Sequence, residues 1–540
     1  MKDIFAYADF LDFWAKSAPE TPFGRDVHEK PELLFDIGHL EKIYDQTDIL
    51  LSLLRELKGD AARLSLITRH LKRLPRFPER ERQIFDEIEL FQVKKFLCNY
   101  RSLMEQLSPE ALGAFGFDYR SQQLENRLNL GGQSAESFYV ADEYSPELAL
   151  VRSEILETDA KIQALEDERA GEIKNRYGLD FQGRPFLLTP KERLGDYASA
   201  SLLLVIEPYD DANYSVRPLR RADALALAEA RRAMAQRERV CEEAVLKSIT
   251  ADVVAELPEL LKYRDAALAF DLAWGRARMA FDMALTRPRL HTKKSIRVSK
   301  GRYGPCESTC AAHGVPYTPL DADIESGATV IFGSNMGGKT VVLQTIARLQ
   351  LAAQAGLFVP AERFETCVFH ALCYIGERRG FETQQGLSGF GLEMRQLTRA
   401  WRSVSLDENR VLLLMDEFAR TTSSNEAEAI LAAVLEAVSQ KNNTVALCST
   451  HFHRLPRIPN ISFLRMAGLA PIEAGRTQGE KIISDDAGTI KEIARRMTYS
   501  LMPDDGKQYS DAIEVAQMLG LDESLTERAK AFFCDERPQL

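Results

Sequence analysis

The chain has 540 residues, of which 45% are hydrophobic, and a formal net charge of -11. This length predicts several domains with ordinary cores, and the acidic balance gives no general attraction to nucleic acid or to an anionic membrane surface. The longest apolar run, 198–206, is broken by serines and is far shorter than the ~20 residues that span a bilayer. Because the first residues lack a basic start and a cleavage site, we expect a cytoplasmic protein without membrane contact.

The first 130 residues predict a wholly helical region. Apolar residues between Leu40 and Leu57 recur at spacings of three and four, as on the buried side of a long helix. Two prolines interrupt the pattern before a second helical stretch, 79–107. We therefore expect residues 1–130 to form a helical core and lever.

Residues 131–220 differ in character from the helical region before them. Apolar residues over 148–173 predict a long, thin amphipathic helix, and the runs 186–189 and 202–206 predict short strands. The region has 17 Asp and Glu residues against 10 Lys and Arg residues. The sequence therefore predicts a small, acidic insertion of mixed α and β structure.

The helical pattern returns in residues 221–290. It stops close to Pro288. Two helical blocks separated by an insertion suggest that the second block runs back along the first. We expect the insertion to lie at the far end of this lever.

The segment 333–340 has the spacing of a phosphate-binding loop. The run 328–332 predicts a buried strand before it, and 341–355 predicts a helix after it. In such loops backbone N–H groups close around phosphates, a lysine reaches the β and γ phosphates, and a hydroxyl ligates Mg²⁺. The predicted ATP site consists of Gly333, Ser334, Asn335, Met336, Gly337, Gly338, Lys339 and Thr340, with Thr340 as a ligand of the metal.

An apolar run that begins at Val411 ends in two adjacent carboxylates, Asp416 and Glu417. Such a pair is a weak signal by itself, but a phosphate-binding loop requires a strand of this kind nearby. In this arrangement the first acid holds Mg²⁺ and the second orients or deprotonates the attacking water. The sequence therefore predicts Asp416 as a metal ligand and Glu417 as a catalytic residue.

Two further positions are candidates for nucleotide contact. His451 follows the predicted strand 444–450, where it could sense a γ-phosphate or serve as a structural histidine. Ser388, Gly389 and Phe390 belong to a small-residue turn that leads into a helix, and a helix N-terminus of this composition is also an anion site.

The order of these motifs resembles the ATPase domain of the MutS family, an ABC-class group. The resemblance rests on the Asn, Met and paired glycines within 333–340, and on the segments 356–361, 388–394, 415–417 and 449–451. It implies an α/β ABC-class P-loop ATPase domain over residues 291–500, preceded by the helical core and lever, with residues 131–220 as a reduced clamp.

The same resemblance implies further contacts. Residues 501–540 resemble the family's terminal helix-turn-helix, which joins two ATPase domains in a homodimer or a pseudo-twofold heterodimer. In such a dimer the segment around Ser388 reaches the partner's nucleotide. Tyr317 falls where an aromatic ring stacks on adenine, although a core tyrosine fits this position equally well.

The sequence also departs from the family's pattern. From its helical start and its last residues we expect neither a mismatch-reading domain nor a nuclease-type extension, and Phe-Ala-Arg-Thr-Thr follows Glu417 in place of Gly-rich residues. The clamp-like insertion is acidic, whereas gripping DNA requires Lys and Arg to neutralise phosphates. These departures favour a protein client over mismatched DNA.

Two functions follow from the resemblance. In the first, the ATPase acts on a protein, as in the short branch associated with reactivating adenosylcobalamin-dependent aminomutases of lysine or ornithine breakdown. In the second, a DNA-binding ATPase of mismatch repair or recombination type recognises mismatched or branched duplex. From the sequence alone, we rank the protein client first.

Overall fold

The structure is a computed structural model that describes residues 2–76, 84–195, 201–333, 337–377, 389–406, 408–419, 424–452, 455–470, 492–506 and 511–534. The chain divides into two compact units. Unit 1 comprises residues 1–68, 107–116 and 268–540, and unit 2 comprises residues 69–106 and 117–267. The five-domain division expected from the sequence stays a prediction. No helix in the described part of the chain is long and apolar enough to cross a membrane.

Short helices and one long helix form the N-terminal part of unit 1. They are α1 (Lys2–Tyr7), α2 (Phe10–Trp14), α3 (Pro22–His28), α4 (Ile37–Glu56), α5 (Ala61–Arg73), which continues into unit 2, and, from the later segment, α7 (Pro109–Phe115). Helix α4 begins where the Asp36 side chain accepts a hydrogen bond from His39 N, and it buries the face that includes Leu40, Ile43 and Leu54. The predicted helix in this region is confirmed.

Unit 2 contains helices and one small sheet. The helices are α6 (Glu87–Met104), α8 (Gln122–Leu128), α9 (Pro146–Tyr177), α10 (Lys191–Leu194) and the first part of α11 (Ala222–Asp282). The helix predicted from residue 79 is wrong for residues 84–86, because Asp86 caps α6 in a capping box with Glu89. Residues 77–83 lie outside the described part.

The small sheet has three antiparallel strands in the order β1-β3-β2. They are β1 (Leu187–Pro190), β2 (Leu204–Pro208) and β3 (Asn213–Pro218). Both predicted strands are present, and β3 was not predicted. The sheet packs on the end of α9 in a separate core of buried apolar side chains: Ile173, Leu179, Phe181, Leu194, Leu204 and Val216.

Within unit 2, α9 and α11 run antiparallel. Arg152 near the start of α9 pairs with Glu238 and Glu242 of α11, whereas Asp159, further along α9, pairs with the earlier Arg231. Helix α11 has 61 residues, which at 1.5 Å per residue is about 90 Å. The returning helix predicted over residues 221–285 is therefore one continuous element, and its partner within unit 2 is α9.

The C-terminal part of unit 1 is built around a six-stranded sheet in the order β13-β12-β7-β11-β10-β9. The strands are β7 (Gly327–Phe332), β9 (Ala371–Ile375), β10 (Val411–Asp416), β11 (Thr444–Thr450), β12 (Ile461–Leu469) and β13 (Met497–Pro503). The first five of these strands are parallel to one another, and β13 runs antiparallel to its neighbour β12. The predicted strands at β7, β10 and β11 are confirmed to within one residue.

Helices and a second sheet accompany this central sheet. The helices are α12 (Gly304–His313), α13 (Lys339–Gln354), α14 (Gly389–Val404), α15 (Ser424–Ser439), α16 (Asp511–Met518) and α17 (Glu523–Cys534). The second sheet, which was not predicted, has the order β4-β8-β5-β6 and consists of β4 (Arg289–Leu290), β5 (Ile296–Gly301), β6 (Leu320–Ile324) and β8 (Arg363–Thr366). The fold is therefore mainly helical in its N-terminal half and α/β in its C-terminal half, as expected.

The parallel strands bring the predicted motifs to one edge of the sheet. The loop after β7, the end of β10 and the end of β11 are adjacent, because β11 pairs with both of the other strands. Ligands bind at the carboxyl ends of strands in sheets of this type. A ligand-binding site is therefore expected at this edge of the sheet.

Candidate nucleotide-binding site

The loop between β7 and α13 requires glycine at both of its described ends. Gly333 and Gly338 have φ values of +151° and +87°. A Cβ at Gly333 would lie 3.1 Å from the Met466 Cβ, and one at Gly338 would lie 3.2 Å from the Tyr499 ring. The backbone conformation and the close neighbours therefore both disfavour a side chain at these positions. The predicted loop residues Ser334, Asn335 and Met336 lie outside the described residues.

Lys339 begins α13 and points back into the loop. Its side chain is only 2% exposed, and its Nζ donates to the Gly333 carbonyl oxygen at 2.7 Å. The Glu417 carboxylate lies 3.8 Å from Nζ. Burial lowers the pKa of Lys339, while the negative charges of Glu417 and Asp416 act in the opposite direction. A cation is thus held inside a loop of backbone groups, which suits a phosphate ligand.

Asp416, at the end of β10, is surrounded by hydroxyl groups. Its Oδ1 accepts hydrogen bonds from Thr340 Oγ1 at 3.2 Å and from Ser449 Oγ at 2.6 Å. Its Oδ2 accepts one from the Tyr7 hydroxyl at 3.2 Å. Burial raises the pKa of Asp416, and these hydrogen bonds oppose the rise. The structure therefore brings the two predicted metal ligands, Thr340 and Asp416, into direct contact.

Glu417 has an unusual backbone conformation for a residue with a side chain. Its φ is +48°, and its N–H donates to both the carbonyl oxygen and the Oγ of Ser449, at 3.1 Å each. These contacts turn its carboxylate toward Lys339. Such a strained conformation is more frequent at functional sites than elsewhere.

The other predicted residues are less closely tied to this centre. His451 follows β11 and is exposed, with its ring 4.5 Å from that of Phe452. Gly389 and Phe390 start α14, and Phe390 packs on the core of the central sheet. Ser388 lies outside the described residues. The roles of all four therefore stay predictions.

Tyr317 lies under α12, and its hydroxyl accepts a hydrogen bond from Tyr303 N at 2.7 Å. Burial is the main reason that its pKa is raised to about 12. Stacking of Tyr317 on adenine stays a prediction. A second aromatic residue that sequence reasoning missed, Tyr499 of β13, lies directly beside Gly338.

The residues present fit a nucleotide and a magnesium ion. A hydroxyl and a carboxylate, both hard oxygen donors, meet beside a loop that holds a buried ammonium group. Mg²⁺ is characteristically bound by one or two such groups together with phosphate oxygens. Tyr7 and Ser449 join this centre without having been predicted to do so. Ser449 lies in the motif segment 449–451, but the sequence does not show that either residue is a neighbour of Asp416.

Comparison with known proteins identifies the C-terminal part of the chain. The family model for MutS domain V matches residues 329–535. The endonuclease MutS2 of Thermomicrobium roseum is 28% identical over 424 residues, which cover 74% of this chain and 48% of that protein. The DNA mismatch repair protein MutS of Streptococcus gordonii is 27% identical over 214 residues, or 40% of this chain and 25% of that protein.

A further relative, the DNA mismatch repair protein MutS of a Caulobacter species, is 31% identical over 227 residues, or 41% of this chain and 25% of that protein. The chain spans about half or less of the length of these curated relatives. Their names favour the DNA-directed expectation and give the reactivase expectation no support. The family model, which matches residues 329–535, and these relatives support a protein of the MutS family.

Proposed function

We propose that the chain binds and hydrolyses ATP with Mg²⁺ and uses this cycle as a dimeric, DNA-binding switch of the MutS kind. The observation that carries the proposal is the contact of Thr340 with Asp416 beside the buried Lys339. The names of the relatives, endonuclease MutS2 and DNA mismatch repair protein MutS, support DNA as the target.

Lys339 binds the phosphates in this proposal. In the described geometry its ammonium group is bonded to the Gly333 carbonyl oxygen and faces Glu417. The β and γ phosphates of ATP offer it stronger, charged acceptors within the same loop. Phosphate binding thus replaces a hydrogen bond to a neutral carbonyl acceptor with bonds to charged acceptors, and it compensates a buried positive charge.

Thr340 and Asp416 would hold the metal. A bound Mg²⁺ would supply positive charge that offsets the negative charge of the phosphate oxygens. The Thr340 hydroxyl, which now donates to Asp416, can offer a lone pair to a cation, and Asp416 supplies the negative charge. Ser449 keeps Asp416 in place through its own hydrogen bond.

Glu417 orients the attacking water, with His451 near the γ-phosphate. The backbone of Glu417 is fixed by two hydrogen bonds to Ser449, so its carboxylate has a defined direction. A fixed carboxylate beside the phosphate site is suited to accept a proton from water. Glu417→Gln should retain ATP binding and lose hydrolysis.

Two subunits, identical or pseudo-twofold related, form the working assembly. In this assembly the N-terminus of α14 of one subunit closes over the nucleotide of the other, through Ser388, Gly389 and Phe390. The C-terminal helices α16 and α17 and the turn between them support an interface, because they expose large apolar side chains: Leu519 and Leu521 in the turn, and Leu525, Phe532 and Phe533 in α17. We assign the ABC-class ATPase domain to residues 291–500 and the dimerisation segment to 501–540.

The remaining domains transmit the change of state. Residues 1–130 and 221–290 supply the core and lever, and 131–220 the clamp-like insertion that meets the target. A protein client is the second candidate, and the excess of acidic residues in 131–220 favours it, since an acidic surface repels DNA phosphates.

One set of ATPase measurements tests both candidates. The rate is compared for the chain alone and with homoduplex, mismatched or branched DNA, and separately with an adenosylcobalamin-dependent aminomutase. Stimulation by mismatched or branched DNA is the expected result. Stimulation by the aminomutase alone would reverse the order of the candidates, and normal turnover by Glu417→Gln would contradict the assigned role of Glu417.

A further inference from the structure

The N-terminal segment, residues 2–14, lies against the helix that starts at the phosphate-binding loop. Gln344 of α13 donates to the Tyr7 carbonyl oxygen at 2.9 Å. One turn later Arg348 donates to the carbonyl oxygens of Ala8 and Asp9 at 2.8 and 2.7 Å. Gln344 and Arg348 are 6% and 5% exposed, so these hydrogen bonds are largely shielded from water.

Tyr7 is the residue of this segment that enters the site. Its ring stacks on that of Tyr374 in β9, with centroids 3.9 Å apart. Its hydroxyl donates to Asp416 Oδ2 at 3.2 Å. Among the described residues, Oδ2 accepts a hydrogen bond from Tyr7 alone, whereas Oδ1 accepts from Thr340 and Ser449.

The three donors together fix the orientation of the Asp416 carboxylate. A carboxylate rotates readily about its terminal bond, and the two donors on Oδ1 leave Oδ2 without a restraint. The Tyr7 hydroxyl supplies that restraint from a position set by the ring stack and by the bond from Gln344. Hydrogen bonds to a charged acceptor are about twice as strong as neutral ones.

We propose that Tyr7 is a positioning residue of the ATPase site, whose hydroxyl holds Asp416 in the orientation in which it binds Mg²⁺. The inference rests on the proposed function and extends it to a residue 409 positions away along the chain. Tyr7 acts through Asp416 and makes no contact with nucleotide in this proposal. The N-terminal segment is thereby a part of the site.

The test removes the hydroxyl alone. Tyr7→Phe keeps the ring that stacks on Tyr374 and deletes the donor to Asp416. Tyr374→Phe is the matched control, because it removes a hydroxyl from the same ring pair that donates to the Glu377 carbonyl oxygen. Both variants should unfold within about 2 °C of the unaltered chain, since neither changes the packing of the rings.

Two metal-dependent readouts separate positioning from a structural role. In Tyr7→Phe the Mg²⁺ concentration for half-maximal ATPase should rise about tenfold, as expected for one charge-assisted hydrogen bond. The affinity for Mn²⁺ in the presence of ADP, followed by electron paramagnetic resonance, should fall to a similar extent. Binding of a fluorescent ATP analogue without metal, and the KM for ATP at saturating Mg²⁺, should stay within twofold. Tyr374→Phe should match the unaltered chain throughout.

The outcomes distinguish this inference from the proposed function. If the unaltered chain hydrolyses ATP and Tyr7→Phe has the same Mg²⁺ and Mn²⁺ dependence, the inference is wrong and the proposed function stands. Loss of metal-free nucleotide binding together with a large drop in unfolding temperature would also overturn the inference, by assigning Tyr7 a structural role. An unaltered chain that binds no nucleotide would overturn both.

Discussion

The surroundings of the nucleotide site in unit 1 and the helix pair α9 and α11 in unit 2 use charged and polar side chains in opposite ways. Around the site, polar groups are buried and converge: Lys339 and Arg348 are 3% and 5% exposed, and each is bonded to backbone carbonyl oxygens. In unit 2, charges lie along the surfaces of α9 and α11, and the side chains of the ion pair between Arg231 and Asp159 are 42% and 43% exposed. The two regions therefore differ in how deeply their charged side chains are buried.

This difference in burial has different consequences for the geometry and the stability of the two regions. A buried polar network that is fully bonded holds one geometry, because any displacement leaves polar groups unpaired in a medium of low dielectric constant. Exposed ion pairs contribute little individually, but they keep two long helices soluble and in register. We expect substitutions of the buried polar groups around the site to change chemistry or stability strongly, and substitutions of the exposed pairs between α9 and α11 to act weakly and in a salt-dependent way.

The largest effect is expected at Lys339. Lys339→Ala removes the buried cation of the loop and should lower ATP affinity about 100-fold or more, because phosphate binding loses its charged donor. Titration with a fluorescent ATP analogue measures this loss. Lys300→Ala, which removes an exposed lysine paired with Asp321, is the control and should bind ATP normally. Equal affinities of the two variants would contradict the assigned site.

A smaller effect, on stability, is expected at Arg348. Arg348→Met deletes the donors to the Ala8 and Asp9 carbonyl oxygens and should lower the free energy of unfolding of unit 1 by about 3 kcal/mol. Urea denaturation measures the change. Arg297→Met is the control, since Arg297 is exposed and paired with Asp323, and it should cost no more than about 0.5 kcal/mol. Similar losses in both variants would remove the contrast between buried and exposed charges.

In unit 2 an ion-pair cluster surrounds Arg152 of α9. This guanidinium group contacts Asp142, Glu238 and Glu242 and is 26% exposed. Arg152→Met should destabilise the protein by about 1 kcal/mol at low salt and by less at about 1 M salt, because the partly exposed charges are screened. ATP affinity should not change. A loss that is independent of salt would indicate that packing of the side chain, and not charge, is lost.

The smallest effect concerns pH. Burial, with a lesser contribution from the charge of Arg276, lowers the pKa of His28 to about 4 from an ordinary value near 6.5. The neutral ring stacks on Trp14 and bonds to Ser17. Its contribution to stability is therefore complete above pH 6.5 and is lost as the pH falls toward 4.

Because His28 is only about half buried, we expect a loss of about 1 kcal/mol between pH 6.5 and pH 5. Urea denaturation at these two pH values measures it. In His28→Gln the stability should change less over the same interval. An equal change in both proteins would assign the pH dependence to other groups.

Local patterns in the sequence predicted those parts of the site that belong to a short, recognisable segment of the chain. Gly333 to Thr340 were recognisable because a strand, a turn and a helix start in fixed succession, and Asp416 and Glu417 because two carboxylates end an apolar run. Tyr7 was not, since its contact with Asp416 spans 409 residues and depends on how α1 packs against α13 and β9. Tyr499 was missed for the same reason, because its place beside Gly338 is set by the pairing of β13 with β12.

Prediction of the fold from the sequence was limited in the same way. Long amphipathic or apolar segments such as α4, α11 and β10 were predicted, because their periodicity and length are encoded locally. The strands β4, β5, β6 and β8 are two to six residues long and were missed, since they mix apolar with charged or polar residues over too few positions to differ from a loop, whereas β10 is a continuous apolar run up to Asp416. Their pairing is a property of the tertiary structure.

The Ser449 hydroxyl joins the two acidic residues of the site. It donates to Asp416 and accepts from the N–H of Glu417, so a shift of one residue alters the support of the other. If the Asp416 carboxylate moved on binding the cation, the movement would therefore be transmitted to Glu417, which is proposed to activate water. The Ser449 side chain of β11 would thus couple cation binding to water activation.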